Sequence, residues 1–353
     1  MKLKEFDYFL PKSSIAQYPK TRRDQSCLMV LHCKSQSIEH YRFKQLPQIL
    51  KKDDVLVMNN SKVIPARLIG AKKTGAKTEI TLSRPIADGQ WYVFTKSRAS
   101  FALGDEIVLP GNLIGKITGA RIPETFEIPV TCNKKGKSFM TTIGKIGRAP
   151  LPPYITRSYD DGNERHRKDL LDYQPVYAKD PGSVAAPTAG LHFTKPLLSR
   201  LKSKGIGVHY VTLHVGPGTF KPVTSENIKD HKLIPESYRI ASHEVNQIRR
   251  AKRNKRRIIA VGSTSLRVLE TASKNIEFYR AKDIEGEADL FIYPGYKFCM
   301  ADALITNFHL PCSTLFMLVA AFGGLSFIQK AYQEAIKNSY RFYSYGDAML
   351  IFP

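Results

Sequence analysis

The chain has 353 residues, enough for about two domains, and its 42% hydrophobic and 24% charged content is typical of a folded, soluble protein rather than a disordered one. Lys and Arg number 54 against 31 Asp and Glu, a formal net charge of +23, which favours nucleic acid, an anionic membrane surface or an acidic substrate as partner. The five cysteines include no C-x-x-C pair, which argues against a disulfide framework and a zinc ribbon.

The N-terminal segment indicates a protein that is not exported. MKLKEFDYFLPKSS carries charges and a proline where a signal peptide needs an apolar core. The longest apolar stretch, Leu315 to Phe322, is far below the roughly 20 residues of a membrane span. We therefore expect a soluble, cytoplasmic protein with no membrane association.

From about Pro65 to Pro150 the chain consists of short β-rich runs separated by Gly, Pro and Asn, and it shows no convincing helical period. The runs are WYVFTKS, DEIVLPG, LIGKITG and TFEIPVTC. Evenly spaced short strands with turn residues predict a small barrel or sandwich. The stiff, proline-rich segment GRAPLPPYITR (147–157) suits a domain boundary. We therefore place an inserted, small all-β, barrel-like domain over residues 63–149.

After Pro153 apolar strands alternate with helical segments. The predicted strands are VHYVTLHVG (208–216), RIIAVG (257–262), DLFIYPG (289–295) and ALITNFH (303–309). The predicted helices are KPLLSRLKSKG after an N-cap at Thr194, SHEVNQIRRAKR with an N-cap at Ser242, SLRVLETASK after Ser263–Thr264, and a C-terminal helix through Phe327 and Ile336. This alternation predicts an α/β main domain with a partly parallel sheet, formed by residues 1–62 and 150–353.

Four polar segments lie within or just after these strands and loops. They are PGSVAAPTAGLHFT (181–194), VTLHVGPGTFKPV (211–223), AVGSTSLRVLE (260–270) and DALITNFHLPCSTL (302–315). Gly216-Pro217-Gly218 lacks the third glycine of a dinucleotide fingerprint and is an ordinary turn by sequence. Each segment can also be a loop or helix cap whose polar groups satisfy local backbone, and for the segment at 260–270 capping is the stronger interpretation.

The functional interpretation of these segments is a single site at the carboxyl edge of the sheet, where open α/β sheets bind ligands. Histidine can titrate near neutral pH, so His192 or His309 can serve as general base or acid. The remaining candidates are polar groups that can bind a substrate: Thr188, His214, Thr264, Arg267 and Asn307.

A basic run, RRAKRNKRR, occupies residues 249–257. Its seven basic side chains can contact nucleic-acid phosphates, although for any single residue a solvated basic face is the more ordinary interpretation. The predicted RNA-binding residues are Arg249, Arg250, Lys252, Arg253, Lys255, Arg256 and Arg257.

The sequence resembles the S-adenosylmethionine:tRNA ribosyltransferase-isomerase family over essentially its whole length. The matching runs are FDYFLPKSSIAQYP, DDVLVMNNSKVIPARLIG, PLPPYITR, GSVAAPTAGLHFT, VTLHVGPGTF, LITNFHLPCSTL and YRFYSYGDAML. So many ordered matches are specific to one family.

The resemblance implies the chemistry. Members transfer and isomerise the ribosyl part of S-adenosylmethionine onto 7-aminomethyl-7-deazaguanine at the tRNA wobble position. The products are epoxyqueuosine in tRNA, adenine and methionine. The donor is a co-substrate, so we expect no resident cofactor and no metal, tRNA as the partner, and a monomer. On this interpretation Arg267 with Thr264, at a helix start, suits the methionyl carboxylate.

Two alternatives remain from the sequence. An S-adenosylmethionine-dependent RNA methyltransferase fits the partners, but the chain has no glycine-rich methyltransferase loop after an early strand. A non-catalytic RNA-binding protein fits the charge, but PTAGLHFT and TNFHLP carry more polar groups beside apolar strands than backbone binding needs.

Overall fold

The computed structural model describes residues 1–96, 100–123, 125–158, 162–216, 223–280 and 282–353. Its strands, in chain order, are β1 (Cys27–His32), β2 (Ser37–Arg42), β3 (Val55–Asn59), β4 (Ser61–Val63), β5 (Arg67–Lys72), β6 (Lys77–Ala87), β7 (Gln90–Lys96), β8 (Glu106–Leu109), β9 (Leu113–Ile117), β10 (Ile128–Cys132), β11 (Asp180–Ser183), β12 (Gly207–Leu213), β13 (Glu236–Ile240), β14 (Ile258–Val261), β15 (Ile284–Ala288), β16 (Ala303–Asn307) and β17 (Ala348–Phe352).

The α-helices are α1 (Leu46–Ile49), α2 (Gly136–Ile146), α3 (Asn163–Asp172), α4 (Lys195–Ser203), α5 (Ser242–Arg253), α6 (Ser263–Ala272), α7 (Ile276–Arg280), α8 (Thr314–Gly323) and α9 (Leu325–Lys337). A short 3-10 helix spans Thr188–His192. No single described helix is long and apolar enough to span a membrane; α8 and α9 pass that test only as a pair, bent by 113°.

A nine-stranded mixed sheet forms the larger part of the molecule, with strand order β15-β13-β12-β3-β14-β16-β17-β1-β2. Its centre, β12-β3-β14-β16, is parallel, and β17 pairs in parallel with β1. The N-terminal strand β1 therefore completes the sheet beside the C-terminal strand β17. This arrangement confirms the predicted α/β part with a partly parallel sheet.

Strands β3, β14 and β16 are buried along their whole length, as expected where helices cover both faces of a sheet. In β3, Val55 and Val57 face the core that includes α5, α6, α8 and α9, whereas Leu56 and Met58 face the core beside α4. All four side chains have no exposed surface. Strands buried on both faces have little freedom to shift register, so their carboxyl ends are held in fixed positions.

Strands β5 to β10 close into an antiparallel barrel in the order β10-β7-β6-β5-β8-β9. Apolar side chains fill the barrel, among them Leu68, Ile80, Val93, Ile107 and Val130. The barrel confirms the predicted all-β element, and its strands lie between Arg67 and Cys132; the exact limits of a separate domain at 63 and 149 stay a prediction.

The expectation of no helix in this part of the chain is wrong. Helix α2 packs on the barrel through Phe139, whose ring stacks on Trp91 with 5.7 Å between centroids. Its buried residues Phe139, Thr142 and Ile143 have i, i+3, i+4 spacing. Its glycines and β-branched residues have low helix propensity, so the pattern is weak in the sequence.

Three further expectations need correction. The strand predicted at 289–295 is instead β15, five residues earlier, whose sequence IEGEA alternates buried and exposed residues at an edge of the sheet. Ser242 is the first helical residue of α5, the N-cap is Ala241, and the Ser242 N–H donates to Asp283 Oδ1 at 2.6 Å. Helix α6 begins at Ser263, with Gly262 as N-cap. By contrast, Thr194 does cap α4, and its Oγ1 accepts from the Leu197 N–H.

Candidate active site

A cavity of about 230 Å³ opens where β14 and β16 end. Both strands are parallel neighbours, with Val261 opposite Ile305, so the segments that follow them lie side by side. We call this the strand-end cavity. Its walls come from the segment after each strand, from the 3-10 turn at Thr188 and from Tyr343 near the C-terminus. Four of the predicted site residues line it together: Thr188, Thr264, Asn307 and His309.

The N-terminus of α6 faces this cavity without a side-chain cap. Gly262, the N-cap, has φ 88°, a conformation that glycine adopts without strain. The first N–H groups of a helix have no intrahelical acceptor, and here no cap side chain accepts from them. Thr264 is 8% exposed, and its Oγ1 is buried without a hydrogen-bond partner in the described chain. The helix start therefore offers donors suited to an anion.

Asn307 ends β16 with its side-chain amide inside the protein. Its Nδ2 donates to the Tyr343 carbonyl at 3.0 Å and lies 3.2 Å from His192 Nε2. Its Oδ1 is buried and has no partner among the described residues. Asn307 therefore presents an unused acceptor in the wall of the cavity.

His192 lies behind Asn307 and does not line the strand-end cavity in the described structure. Its Nδ1 is 2.7 Å from Ser26 Oγ, and its ring stacks on Phe43 with 5.0 Å between centroids. Burial, with smaller contributions from Arg341 and Arg23, lowers the pKa of His192 to about 3. Both ring nitrogens are occupied, so a catalytic role for His192 stays a prediction that this geometry does not favour.

His309 reaches the cavity itself. Its Nε2 is 2.8 Å from Thr306 Oγ1, and its carbonyl accepts from the Tyr8 hydroxyl. Burial lowers the pKa of His309 to about 3, so the ring is neutral at neutral pH. Its other ring nitrogen, Nδ1, makes no hydrogen bond to the described residues, which leaves it free to meet a ligand.

Arg267 and His214 lie in a different space, a cleft of about 1010 Å³ between the barrel and the sheet. We call it the barrel–sheet cleft. Arg267 Nη1 donates to Glu236 Oε2 at 2.6 Å, and its Nη2 donates to the Ala288 carbonyl at 2.6 Å. The expectation that Arg267 joins Thr264 around one carboxylate is therefore wrong. Glu236, on β13, is 31 positions away in sequence, and no local pattern predicts this ion pair.

His214 lines the same cleft beside Gly182. Burial lowers the pKa of His214, although the nearby Asp180 carboxylate acts in the opposite direction. Its Nδ1 is buried and has no partner in the described chain. A Cβ at position 182 would come within 2.7 Å of the imidazole, so glycine is required there for the ring to fit. The Gly216-Pro217-Gly218 turn that follows lies partly outside the described residues.

Tyrosines at the cavity were not identified from the sequence. Tyr343 has φ 72°, and its buried hydroxyl has no partner within the described residues. Its ring lies against Tyr154, with 4.3 Å between centroids. Both tyrosines fall in runs that carry the family resemblance, PLPPYITR and YRFYSYGDAML, and that was the available signal.

The basic run at 249–257 lies at the other end of β14, where the strand begins. Three of its side chains bind within the protein. Lys252 pairs with Asp302 at 3.0 Å, Arg257 contacts both carboxylate oxygens of Asp54, and Arg256 donates to the Asp53 carbonyl at 2.7 Å. The strand-end cavity lies at the carboxyl end of the same strand. The basic run and the strand-end cavity therefore lie at opposite ends of β14.

Comparison with known proteins decides the family. The sequence profile of the queuosine biosynthesis protein family matches residues 3–351. The chain belongs to this family. Two proteins named S-adenosylmethionine:tRNA ribosyltransferase-isomerase are similar: one from Halothermothrix orenii is 46% identical over 99% of this chain and all of that protein, and one from Thermosipho africanus is 47% identical over the full length of both.

A solved structure also resembles this queuosine biosynthesis family member. The crystal structure of S-adenosylmethionine tRNA ribosyltransferase from Thermotoga maritima superposes with a TM-score of 0.55 at 36% identity, covering 99% of this chain and all of that one. Within the described residues of this family member, no group of three or more His, Cys, Asp or Glu side chains is placed to hold a metal ion.

Proposed function

We propose that this chain transfers and isomerises the ribosyl group of S-adenosylmethionine onto 7-aminomethyl-7-deazaguanine at the wobble position of tRNA. The products are epoxyqueuosine in tRNA, adenine and methionine. The observation that carries the proposal is the full-length similarity to enzymes of that name. The sheet supports it independently, because it brings a set of unpaired polar groups to the carboxyl ends of two parallel strands, where α/β enzymes bind substrates.

The strand-end cavity is the proposed donor site. S-adenosylmethionine carries one anionic group, the carboxylate of its methionyl part. The uncapped N-terminus of α6 and the Thr264 hydroxyl are hydrogen-bond donors beside each other, and a helix N-terminus favours negative charge. His309 Nδ1 and the Tyr343 hydroxyl are then available to the ribosyl and adenine parts of the donor. Either can exchange a proton or a hydrogen bond there.

The barrel–sheet cleft is the proposed site of the acceptor nucleotide. It adjoins the donor site, since Leu315 lines both spaces. Trp91 and Phe291 lie in its walls, and aromatic rings stack on nucleobases that leave a single-stranded loop. Lys232 lines the cleft and is exposed, so it can contact a phosphate, and Lys229 is exposed three positions earlier in the chain. In this arrangement the tRNA base enters from the cleft and meets the donor across Leu315.

We propose further that the enzyme acts as a cytoplasmic monomer that uses S-adenosylmethionine as co-substrate and no resident cofactor. The five free cysteines fit a reducing compartment. The net charge of +23 fits a tRNA substrate.

The test is the identity of the small-molecule product. The protein is incubated with S-adenosylmethionine and tRNA that carries the 7-aminomethyl base, and free adenine and S-adenosylhomocysteine are quantified together. We expect adenine in equal amounts to modified tRNA, and no adenine with tRNA that carries guanine at that position. Release of S-adenosylhomocysteine instead would indicate a methyltransferase, and no turnover by the folded protein would favour a binding protein.

A further inference from the structure

Three buried oxygens without hydrogen-bond partners in the described chain belong to residues that line the strand-end cavity. They are Thr264 Oγ1, Asn307 Oδ1 and the Tyr343 hydroxyl. An unpaired buried polar atom destabilises the folded state, so three around one cavity indicate groups that a ligand satisfies. Asn307 differs from the other two, because a carbonyl-type oxygen can only accept.

The orientation of the Asn307 amide follows from its neighbours. Amide nitrogen and oxygen are assigned from the hydrogen-bond network, and the Tyr343 carbonyl, 3.0 Å away, accepts only. The atom that faces it must therefore be Nδ2. The second hydrogen of Nδ2 points to His192 Nε2 at 3.2 Å. With both hydrogens used, Oδ1 is the atom left without a partner.

His192 can hold this orientation in one tautomer alone. Its Nε2 must accept from Asn307, so the ring hydrogen is on Nδ1. Nδ1–H then donates to Ser26 Oγ at 2.7 Å, and that hydroxyl donates to the Arg23 carbonyl at 3.1 Å. Every donor in this series of hydrogen bonds meets an acceptor. A protonated ring would place an N–H against the Asn307 amide hydrogens, and burial opposes that protonation.

We propose that His192 is a positioning residue, which fixes the Asn307 amide so that its Oδ1 accepts an N–H from the ammonium group of an α-amino acid, the methionyl part of the donor. This inference rests on the proposed function. Thr264 and the start of α6 take the carboxylate of the same group. Asn307 ends β16 and Thr264 lies in the first turn after β14, and these two strands are parallel neighbours. Neighbouring strands lie about 4.8 Å apart, so the two residues can meet an ammonium and a carboxylate attached to one carbon.

Two ligands that share an adenosine but differ in the amino-acid group should respond differently to substitutions at this site. S-adenosylhomocysteine has the α-amino-acid group, and 5′-methylthioadenosine lacks it. Each is titrated calorimetrically into the complex of the enzyme with its tRNA. Asn307→Leu keeps the branched shape of the side chain and removes the Oδ1 acceptor together with the Nδ2 donors, and Thr264→Val replaces the hydroxyl by a methyl group. We expect each substitution to lower the affinity for S-adenosylhomocysteine by about 10-fold or more, which is the scale of a hydrogen bond to a charged group. The affinity for 5′-methylthioadenosine should not change.

His192 is tested by a pair of variants. In His192→Gln, the glutamine Oε1 can accept from Asn307 as the histidine Nε2 does, and leucine has no such acceptor. His192→Gln should therefore keep the affinity for S-adenosylhomocysteine, and His192→Leu should lose it. The matched control for Asn307→Leu is Asn338→Leu, the same substitution at an exposed residue after α9.

Three results would overturn the inference. Asn307→Leu could weaken the binding of both ligands equally, or His192→Gln and His192→Leu could weaken the binding of S-adenosylhomocysteine equally. The third is that S-adenosylhomocysteine does not bind the wild-type complex. Failure of the proposed function would be distinguished from failure of this inference, because the wild-type enzyme would then release no adenine.

Discussion

His192 and His309 have similar environments in the sequence, each in a polar segment beside an apolar run, but they lie at different depths. His309 lines the strand-end cavity with Nδ1 free, whereas His192 has both nitrogens occupied behind Asn307. We expect His309→Asn to lower turnover by about 100-fold or more, the usual scale for a general acid or base, with the fold retained. Single-turnover rates of adenine release measure this.

The corresponding His192→Asn variant serves as a comparison. Asparagine is too short to reach Asn307 from position 192, so its effect should fall mainly on the KM for S-adenosylmethionine. If both variants turn over as the wild-type enzyme does, neither histidine takes part in catalysis, although the family membership would stand.

Burial of these histidines also predicts how stability depends on pH. Burial lowers the pKa of His192 and of His309 to about 3, against about 6.5 in the unfolded chain. As pH falls through about 6.5 the unfolded state takes up protons that the folded state does not. The free energy of unfolding should therefore decrease from about pH 6.5 towards pH 3, by roughly 1 kcal/mol per pH unit for each histidine.

Urea unfolding of the wild type and of His192→Gln at about pH 6 and pH 5 isolates one histidine from the carboxylates, which titrate mostly lower. The wild type should lose roughly 1 kcal/mol more than the variant over this interval. Equal losses in the two proteins would mean that His192 is protonated in the folded state.

At the scale of elements, the two ends of β14 lead to different parts of the protein surface. The carboxyl end leads through Gly262 to the strand-end cavity, and the amino end follows the basic run. Within that run Lys252, Arg256 and Arg257 are engaged in the contacts described above, so the side chains free to meet RNA are the exposed ones. Arg250, Arg253 and Lys255 are exposed and have no ion pair within the described chain.

Neutralising Arg250, Arg253 and Lys255 to Gln should weaken tRNA binding and reduce its salt dependence. The log–log salt slope should fall by roughly 0.7–0.9 for each phosphate that is no longer neutralised, while binding of the donor is unaffected. Filter binding over a range of salt concentrations measures both quantities. A matched triple variant at Lys4, Lys330 and Lys337 controls for total charge. If affinity and slope stay at the wild-type values, the run is a solvated face, and the lysines near the cleft become the better RNA surface.

How far the sequence predicts each element depends on how local its determinants are. The position of three predicted residues follows from local pattern, because an apolar strand ends at or just before each of them, and the parallel pairing of β14 with β16 brings them to one cavity: Thr264, Asn307 and His309. Arg267 was misplaced because its partner Glu236 lies on a strand distant in sequence. The strand predicted at 289–295 failed because apolar residues near an edge can cover a cleft instead of pairing, as Ile292 does.

At the scale of the whole molecule, the fold class was predictable from alternation and turn residues, and the family from long matching runs. The position of the barrel relative to the sheet was not predictable from the sequence, because the cleft depends on how two separately predicted parts pack. The tyrosines that line the strand-end cavity, Tyr154 and Tyr343, were not predicted either. Tyr343 reaches the cavity through a positive φ, which no periodic pattern indicates.

Activity should survive removal of metal ions. The reaction proposed here leaves the ribosyl transfer to groups on the protein and the donor, and among the described residues no set of metal ligands is assembled. After exhaustive chelation the initial rate of adenine release should stay within about twofold of the untreated enzyme. The tRNA is refolded separately, so that an ion needed by the RNA is not attributed to the protein. Loss of rate that a divalent cation restores with prefolded tRNA would contradict this expectation.

The central claim is that the ribosyl carbons of the donor, and not its methyl group, enter the tRNA. S-adenosylmethionine labelled with ¹³C in the ribose is compared with donor labelled in the methyl group, and the wobble nucleoside is analysed by mass spectrometry after digestion. We expect the nucleoside to acquire all the ribosyl carbons from the first donor and no label from the second, whose label stays in methionine. A wobble nucleoside that carries the methyl label would contradict the account.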